Sequence, residues 1–550
     1  MNQQELAALC QNAADYETIR LEKQTIHVWS DQCPVFTGCH LSNTASFEEN
    51  PRGERPVPIF MKGRTGVTLD GGGTEVVLHG VTTPFLFDCC RGITLKNFTF
   101  DYAHPTMSEF TIQENDGEGG AVIRVAADSL FDIADGLLLW HGETGRDGSY
   151  LWQYGYRGER CLSMRWDPET EETRFFPPEA GRRFPSAPEF QVTERLDPRT
   201  LRVRLREKDA CFPAGNTVQT RDTARTQAGG CFHFCRDAVL ENVTIRAMNG
   251  FGILAQCCEN VTFRGLDITP GPGRTIASNA DFLHASGCRG RVLVENCVLA
   301  QGHDDFVNVH GVHLEIVGRA GKVLRVRFPN PNTWGFPVFA PGDRADFICR
   351  RTLLPYGGGT VEAARMLGLT EMELTFREEP AARVGDCVEN ASAEPEIVIR
   401  GNHFGPSMGR GILCTSRGRT VIEDNVFYRT GGAVLCVCDD CNFWYESGYT
   451  TDVVFRRNRV EGCGYGPVPG QPQSVISVEP QVMEPGFSGF VHGKIAVTDN
   501  DFSGTVDKAP LADVKWTQEF LFAGNRADKT PALSLHCVGR FQEGLDGTDF

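Results

Sequence analysis

The chain has no apolar run long enough to cross a bilayer. Its longest stretches, such as Gly136-Leu-Leu-Leu-Trp140, fall far short of the roughly 20 residues a membrane helix needs. Basic residues are also scarce. Lys and Arg total 54 against 71 Asp and Glu, a formal charge of −17, and this excludes the basic footprint of a general nucleic-acid binder. Charged residues make up 23% and hydrophobic residues 41%, which is too little charge and too much apolar surface for a disordered chain. The start, Met1-Asn-Gln-Gln-Glu5, lacks the basic n-region and apolar core of a secretory signal, so the expectation is a cytoplasmic protein. The 21 cysteines then read as reduced thiols. Neighbouring pairs such as Cys89-Cys90 and Cys257-Cys258 are expected at packed core positions. The segment Cys436-Val-Cys438-Asp-Asp-Cys441 contains a CxxC without a matching second one, so core thiols are the expected reading, with a zinc or redox role as the alternative.

Glycine, by contrast, is plentiful. It occupies 60 of 550 positions, which points to many turns and many short strands. The length alone would allow roughly three to four domains. Helical patterns are rare, and Val361-Glu-Ala-Ala-Arg-Met-Leu is one of the few plausible ones, a short one.

The dominant pattern is a repeat: alternating apolar residues, a turn Asn or Gly, then two more apolar positions. Copies include Ile93–Phe100, Val239–Ile245, Val261–Ile268, Val292–Leu299, Ile397–Phe404, Val421–Phe427, Val453–Val460, Ile495–Phe502 and Phe520–Asn525. The turn residues 242 and 265 are 23 apart, 402 and 425 again 23, and 500 and 525 are 25 apart. Period-2 strands joined by an αL-tolerant residue every 20-odd positions are the signature of a right-handed parallel β-helix, with stacked Asn side chains forming an amide ladder. A propeller would need a period of about 40 or more, and no WD-like or kelch-like phrase occurs. Residues 103–230 and 311–394 break the repeat with hairpin-like strands and read as two small antiparallel, barrel-like β modules inserted between rungs. The expected organisation is rungs over 1–102, a module over 103–230, rungs over 231–310, a second module over 311–394, and rungs over 395–550. Insertions of this kind gather on one face, often the binding face.

The densest polar block is Ser278-Asn279-Ala280-Asp281-Phe-Leu-His284, followed by His303-Asp304-Asp305-Phe306-Val307-Asn308-Val309-His310. Asp281 and Asp304 are 23 positions apart, one rung, so their strands should lie about 4.8 Å apart. Asp305 sits beside them. Like charges this close repel and raise at least one pKa, a cost more often kept for chemistry than for folding. Neighbouring residues in a regular strand face opposite ways, so Asp304 and Asp305 can share a pocket only at a corner or bulge. Taken singly, Asp304-Asp305 reads equally as a solvated turn, His303 and His310 as rung histidines, and Asn279 and Asn308 as ladder residues. Their occurrence together, one rung apart, is what marks a site. Two carboxyl groups of this kind are the equipment of a glycosidase. A second block, Asp439-Asp440-Cys-Asn442-Phe-Trp444-Tyr445-Glu446, sets aromatics beside acids, as sugar stacking requires. Arg417 precedes it, and His233, Gln256 and Arg274 are weaker candidates for the same cleft.

These residues resemble glycoside hydrolase family 110, the α-1,3-galactosidases. The likeness rests on Asn279-Ala280-Asp281, Cys288-Arg289-Gly290 before a Val-x-Val-Glu-Asn strand, His303-Asp304-Asp305-x-x-Asn308-Val309-His310-Gly311, Thr415-Ser416-Arg417-Gly418, Glu423-Asp424-Asn425-x-Phe427 and Trp444-Tyr445-Glu446-Ser447-Gly448. It spans about residues 232–460. The resemblance implies release of terminal α-galactose with inversion and without a metal or other cofactor, Asp304 acting as acid and Asp281 and Asp305 holding the water. Asn279, His303, Asn308, His310, Arg417, Trp444 and Glu446 are the expected substrate contacts. The expected partner is a bacterial enzyme's glycan with terminal α-galactose, with no nucleic acid and no membrane, and a homodimer through the coil ends or modules. The competing readings are a polygalacturonase-like hydrolase or uronate lyase, which needs basic contacts in the cleft, and a non-catalytic glycan-binding solenoid.

Overall fold

The computed structural model describes residues 1–550 except 158–159, 178–187, 209, 505–508, 529 and 545–550. The repeat folds as a parallel β-helix. A single ladder of 31 strands stacks rung upon rung, almost entirely in parallel register. One column of that ladder carries the site: Phe251–Gln256, Leu283–Ser286, Val307–Val312, Ile412–Thr415, Leu435–Val437 and Ile476–Val478. In it Ile253 pairs with Leu283, then Val307, Ile412, Leu435 and Ile476. All six side chains point into the coil and are at most 2% exposed. Full burial of such a side chain contributes roughly 1.5–3 kcal/mol, so the inner stack fixes the register and hence which residues face outward. The outward neighbours, one step along, are Leu254, His284, Asn308, Leu413 and Cys436.

The turn residues resolve into two columns rather than one. Asn97, Asn242, Gly265, Asn296, Gly401, Asp424, Arg457, Asp499 and Gly524 take positive φ and make the bend. The amide ladder lies one position further on, at Asn402, Asn425, Asn458, Asn500 and Asn525. The side-chain N–H of each of the first four donates to the next rung's amide oxygen at 2.9–3.0 Å, and Asn525 ends the ladder by donating to the Val497 carbonyl. Rungs with Asn at the bend itself have Phe98, Val243 or Cys297 in the ladder column, so the ladder belongs to the C-terminal half.

The two interruptions differ in form. Between Met107 and Asp222 lies an open seven-stranded antiparallel sheet with a three-stranded companion; its own core is built on Phe110, Trp140, Phe176 and Phe190. Between Leu314 and Asn390 six strands close into a barrel. The helix expected at Val361–Leu367 is instead the second half of a strand, Pro355–Met366, which pairs with Glu371–Phe376 while the first half pairs with Arg344–Ile348, and that ladder overrides a weak helical preference. A helix forms where none was expected, at Gln3–Gln11, started by an Asn2–Glu5 capping box. It lays Leu6 and Cys10 on the apolar core of the first rungs. Cys90 and Cys258 are buried as expected, but Cys89 is exposed and Cys257 half-buried; both take positive φ, which turns their side chains out of the coil. Among the described residues, no helix is long and apolar enough to cross a membrane.

Candidate active site

The rung register brings together residues that the spacing of 23 did not pair. Leu283 opposes Val307 and Ser278 opposes Gly302, so Asp281 stands opposite Asp305, not Asp304. On the next rung Val307 opposes Ile412, which sets Arg410 opposite Asp305. Each of the three polar residues lies two positions before the first inward residue of its strand. The chain bends from Gly302 to Phe306, so Asp304 and Asp305 are not on opposite strand faces and both reach one cavity. Two glycines permit this close stacking. A Cβ on Gly252 would collide with the Asp281 carbonyl oxygen, and one on Gly409 with that of Asp304.

Asp281, Asp304 and Asp305 each offer an oxygen within 4.8 Å of the others. Arg410 grips Asp305 with two bonds of 2.8 Å. Arg225, on the segment returning from the first insertion, reaches Asp304 at 3.6 Å and lies over the Phe251 ring. Three carboxylates against two guanidiniums, with Glu446 close by, leave at least one negative charge uncompensated, so at least one of the three carboxyls carries a proton. Burial, with Asp304 beside it, pushes the Asp281 carboxyl up to about 8. Burial also raises Asp305, against the opposing pull of Arg410. The bidentate ion pair with Arg410 favours the anion at Asp305, so of these two Asp281 is the better place for a proton.

The aspartates line one side of a cavity of about 330 Å³ whose remaining lining includes Asn43, Asn308, Thr415, Cys436, Phe443, Trp444, Glu446 and Glu479. The aromatic rim is held by Asp440. Its carboxylate accepts the backbone N–H groups of Asn442, Phe443, Trp444 and Tyr445, and the loop so fixed presents Phe443 and Trp444 at 54% and 38% exposure. Glu446 accepts a bond from Asn43 Nδ2 at 2.7 Å.

Of the expected contacts, Asn308, Trp444 and Glu446 line the cavity with the three aspartates. The others lie elsewhere. His303 is buried against Gln219 at 2.9 Å. Asn279 is buried, with neither amide atom bonded among the described residues. His310 lies behind the wall, bonded to His284. Arg417 is clamped by Asp346, Glu389 and Glu394 and stacks on Tyr449, where coil and barrel meet. His233 pairs with Asp88, Gln256 with Ser42 and His40, and Arg274 with Asp101 and Asp128. In the cysteine segment Cys436 and Cys438 face the cavity, while Cys441 packs with Ile348 and Cys387. Arg410, Arg225, Asn43 and Phe443 are functional candidates that sequence reasoning missed. Only Arg410 carried a signal, since Arg410-x-Ile412 repeats the placement of Asp281-x-Leu283 and Asp305-x-Val307.

A carboxylate cluster opposite an aromatic rim, on a parallel β-helix, is the equipment of a glycoside hydrolase. Residues 323–388 match the GLAA-B β-barrel domain II. α-1,3-Galactosidase A of Bacteroides thetaiotaomicron is 31% identical over 470 residues, covering 84% of this chain and 78% of that protein. α-1,3-Galactosidase A of Streptomyces avermitilis is 32% identical over 514 residues, covering 88% and 78%. Among solved structures, the A-module of the mannuronan C-5 epimerase AlgE6 from Azotobacter vinelandii aligns over 100% of this chain and 91% of its own, at 11% identity and a TM-score of 0.38. The chain is a glycoside hydrolase and belongs to the α-1,3-galactosidase family, as its motifs led us to expect.

Proposed function

We propose that this protein removes terminal α-1,3-linked galactose from glycans by inversion and without a metal. Asp304 acts as acid, and Asp281 and Asp305 hold the water. The carrying observation is the cluster itself: three carboxylates within 4.8 Å whose charge the two neighbouring guanidiniums do not balance, on the wall of one cavity. Asp304 is the least buried of the three, and the Arg225 guanidinium holds it only loosely, at 3.6 Å, which leaves it able to meet a glycosidic oxygen. Asp281 and Asp305 face each other across adjacent rungs, where a water can be gripped from two sides. A cavity closed by the Asp440 loop suits one chain end, hence exo action. Both guanidiniums at the aspartates are engaged with Asp304 and Asp305, which favours a neutral sugar over a uronate.

The short separation supports a second reading. An inverting pair stands roughly 6.5–9.5 Å apart and a retaining pair about 5–5.5 Å. Proton NMR of Galα1-3Gal hydrolysis decides between them, with Asp304→Asn as control. Early β-galactose, lost in the variant, is the expected result. Early α-galactose would mean retention, with one of the buried aspartates as nucleophile. Binding without any turnover would make the protein a glycan-binding solenoid. Undiminished rates after EDTA treatment are expected, and loss restored by one divalent cation would assign the cluster to a metal instead.

A further inference from the structure

The site extends behind the cavity wall into groups no substrate can touch. Asp281 Oδ2 lies 2.7 Å from His284 Nδ1. His284 Nε2 lies 2.8 Å from His310 Nε2. His310 Nδ1 lies 2.5 Å from the Gly311 carbonyl oxygen. His284 is wholly buried, with the edge of its ring contact closed by Phe251 at 5.0 Å. His310 Nε2 is also 3.7 Å from Glu446 Oε1, on the cavity wall.

Each of these three contacts needs a proton. The Gly311 oxygen only accepts, so His310 Nδ1 carries one. Two imidazole nitrogens at 2.8 Å must have one between them, because facing lone pairs repel. The Asp281–His284 contact needs the third for the same reason. An ionised aspartate with two neutral histidines would hold only two. The trio therefore carries one proton more than its ordinary neutral-pH complement.

We propose that His284 and His310 are positioning residues that form a buried proton relay and set the charge of Asp281, with Glu446 as its far anchor. The proposal rests on the galactoside-hydrolase reading for its catalytic meaning, but the proton count does not. In one form Asp281 keeps its proton and both imidazoles are neutral. Two protons then shift together, from Asp281 Oδ2 to His284 Nδ1 and from His284 Nε2 to His310 Nε2. The result is a carboxylate at Asp281 and an imidazolium at His310, beside Glu446. No proton leaves the protein and no heavy-atom bond changes. Asp281 becomes able to accept the proton of the attacking water although it is buried beside Asp304. That proton then passes to Asp304, which has given its own to the departing oxygen, and the count is restored. The charged groups that face the trio are Asp304, Asp305, Glu446, Arg225 and Arg410. The two arginines are paired to Asp305 and Asp304, so the imidazoles are the place where compensating charge can form next to Asp281.

The test uses His310→Gln and His310→Phe in the full chain. A glutamine oxygen accepts from His284 Nε2 but cannot take a second proton, so His310→Gln separates packing from proton transfer. The expected result is an acid limb of kcat/KM that moves up by about one pH unit or more in both variants, with kcat reduced roughly tenfold at the old limb and KM little changed. A uniform loss at every pH, with the limb in place, would show a structural role and overturn the proposal. A second readout needs no substrate. ¹⁵N NMR of histidine-labelled protein is expected to show three of the four nitrogens of His284 and His310 sharing protons up to about pH 8, and His310→Gln should abolish the pattern. Two neutral imidazoles beside an ionised Asp281 in the unaltered protein, the carboxyl read from its ¹³C shift, would overturn it. If the protein cleaves no α-galactoside, this arm still reports the proton count.

Discussion

Replacing Asp281 by Asn should make the protein more stable in mildly alkaline solution while removing its activity. Asp281 is 5% exposed, and its carboxyl is raised from 3.8 to about 8 by burial first and Asp304 second. A carboxyl raised on folding binds its proton more tightly in the native state. Its contribution is therefore fully present below the unfolded pKa and is lost as pH rises toward the folded one. The window runs from about pH 4 to about pH 8. At about 1.4 kcal/mol per pH unit the full shift amounts to about 5–6 kcal/mol. Asp305 rises in the same coupled event, so about half, roughly 3 kcal/mol, belongs to Asp281. For a chain of 550 residues, unfolding entropy of about 2 cal/mol/K per residue converts this to about 3 °C. The asparagine amide still donates to His284 Nδ1, so it imitates the protonated carboxyl without its ionisation. Calorimetric Tm measured from pH 5 to 9 should fall more steeply for the parent than for Asp281→Asn, with the variant ahead by a few degrees at pH 8. Parallel curves would refute the argument that Asp281 is held protonated.

Gly409→Ala should lower kcat at least tenfold with a smaller change in KM, because the added methyl meets the Asp304 carbonyl and displaces the acid; unchanged kinetics would show that this stacking does not position Asp304. Trp444→Ala should raise KM and leave kcat within about threefold, since the ring lies at the rim rather than at the aspartates; an equal loss in kcat would place it at the reacting centre. Asn458→Ala removes bonds to Asn425, Asn500 and the Ile422 carbonyl and strands buried partners. It should cost roughly 2–4 kcal/mol of stability with normal kinetics in the folded fraction, as read by urea unfolding.

Much of this molecule is written in local pattern. Alternating apolar residues with an αL-tolerant bend determine strands that can only bury their faces by stacking, and this is enough to specify the coil. The same pattern exposes Asp281, Asp304 and Asp305, because nothing but the 24-residue rung separates the first from the third. Sequence also marked the two interruptions, where the repeat stops. What it could not determine is which residues stack once a rung is interrupted. Arg410 stands opposite Asp305 only because the chain closes a barrel between them and then resumes its register, Val307 on Ile412. Arg225 reaches Asp304 only because the first insertion returns there. Asn43 joins Glu446 from the far end of the chain. The one-residue difference between a spacing of 23 and a rung of 24 decided that Asp281 faces Asp305 rather than Asp304, since period-2 strands turn a slip of one position into a change of face. Arg417 and His303 belong to the motifs in sequence, but ion pairs and burial chosen by the folded chain hold them away from the cavity. Local periodicity determined the scaffold and the acidic cluster; the charge balance around that cluster was decided by long-range packing, because the counter-ions arrive from rungs and insertions that only the tertiary structure brings together.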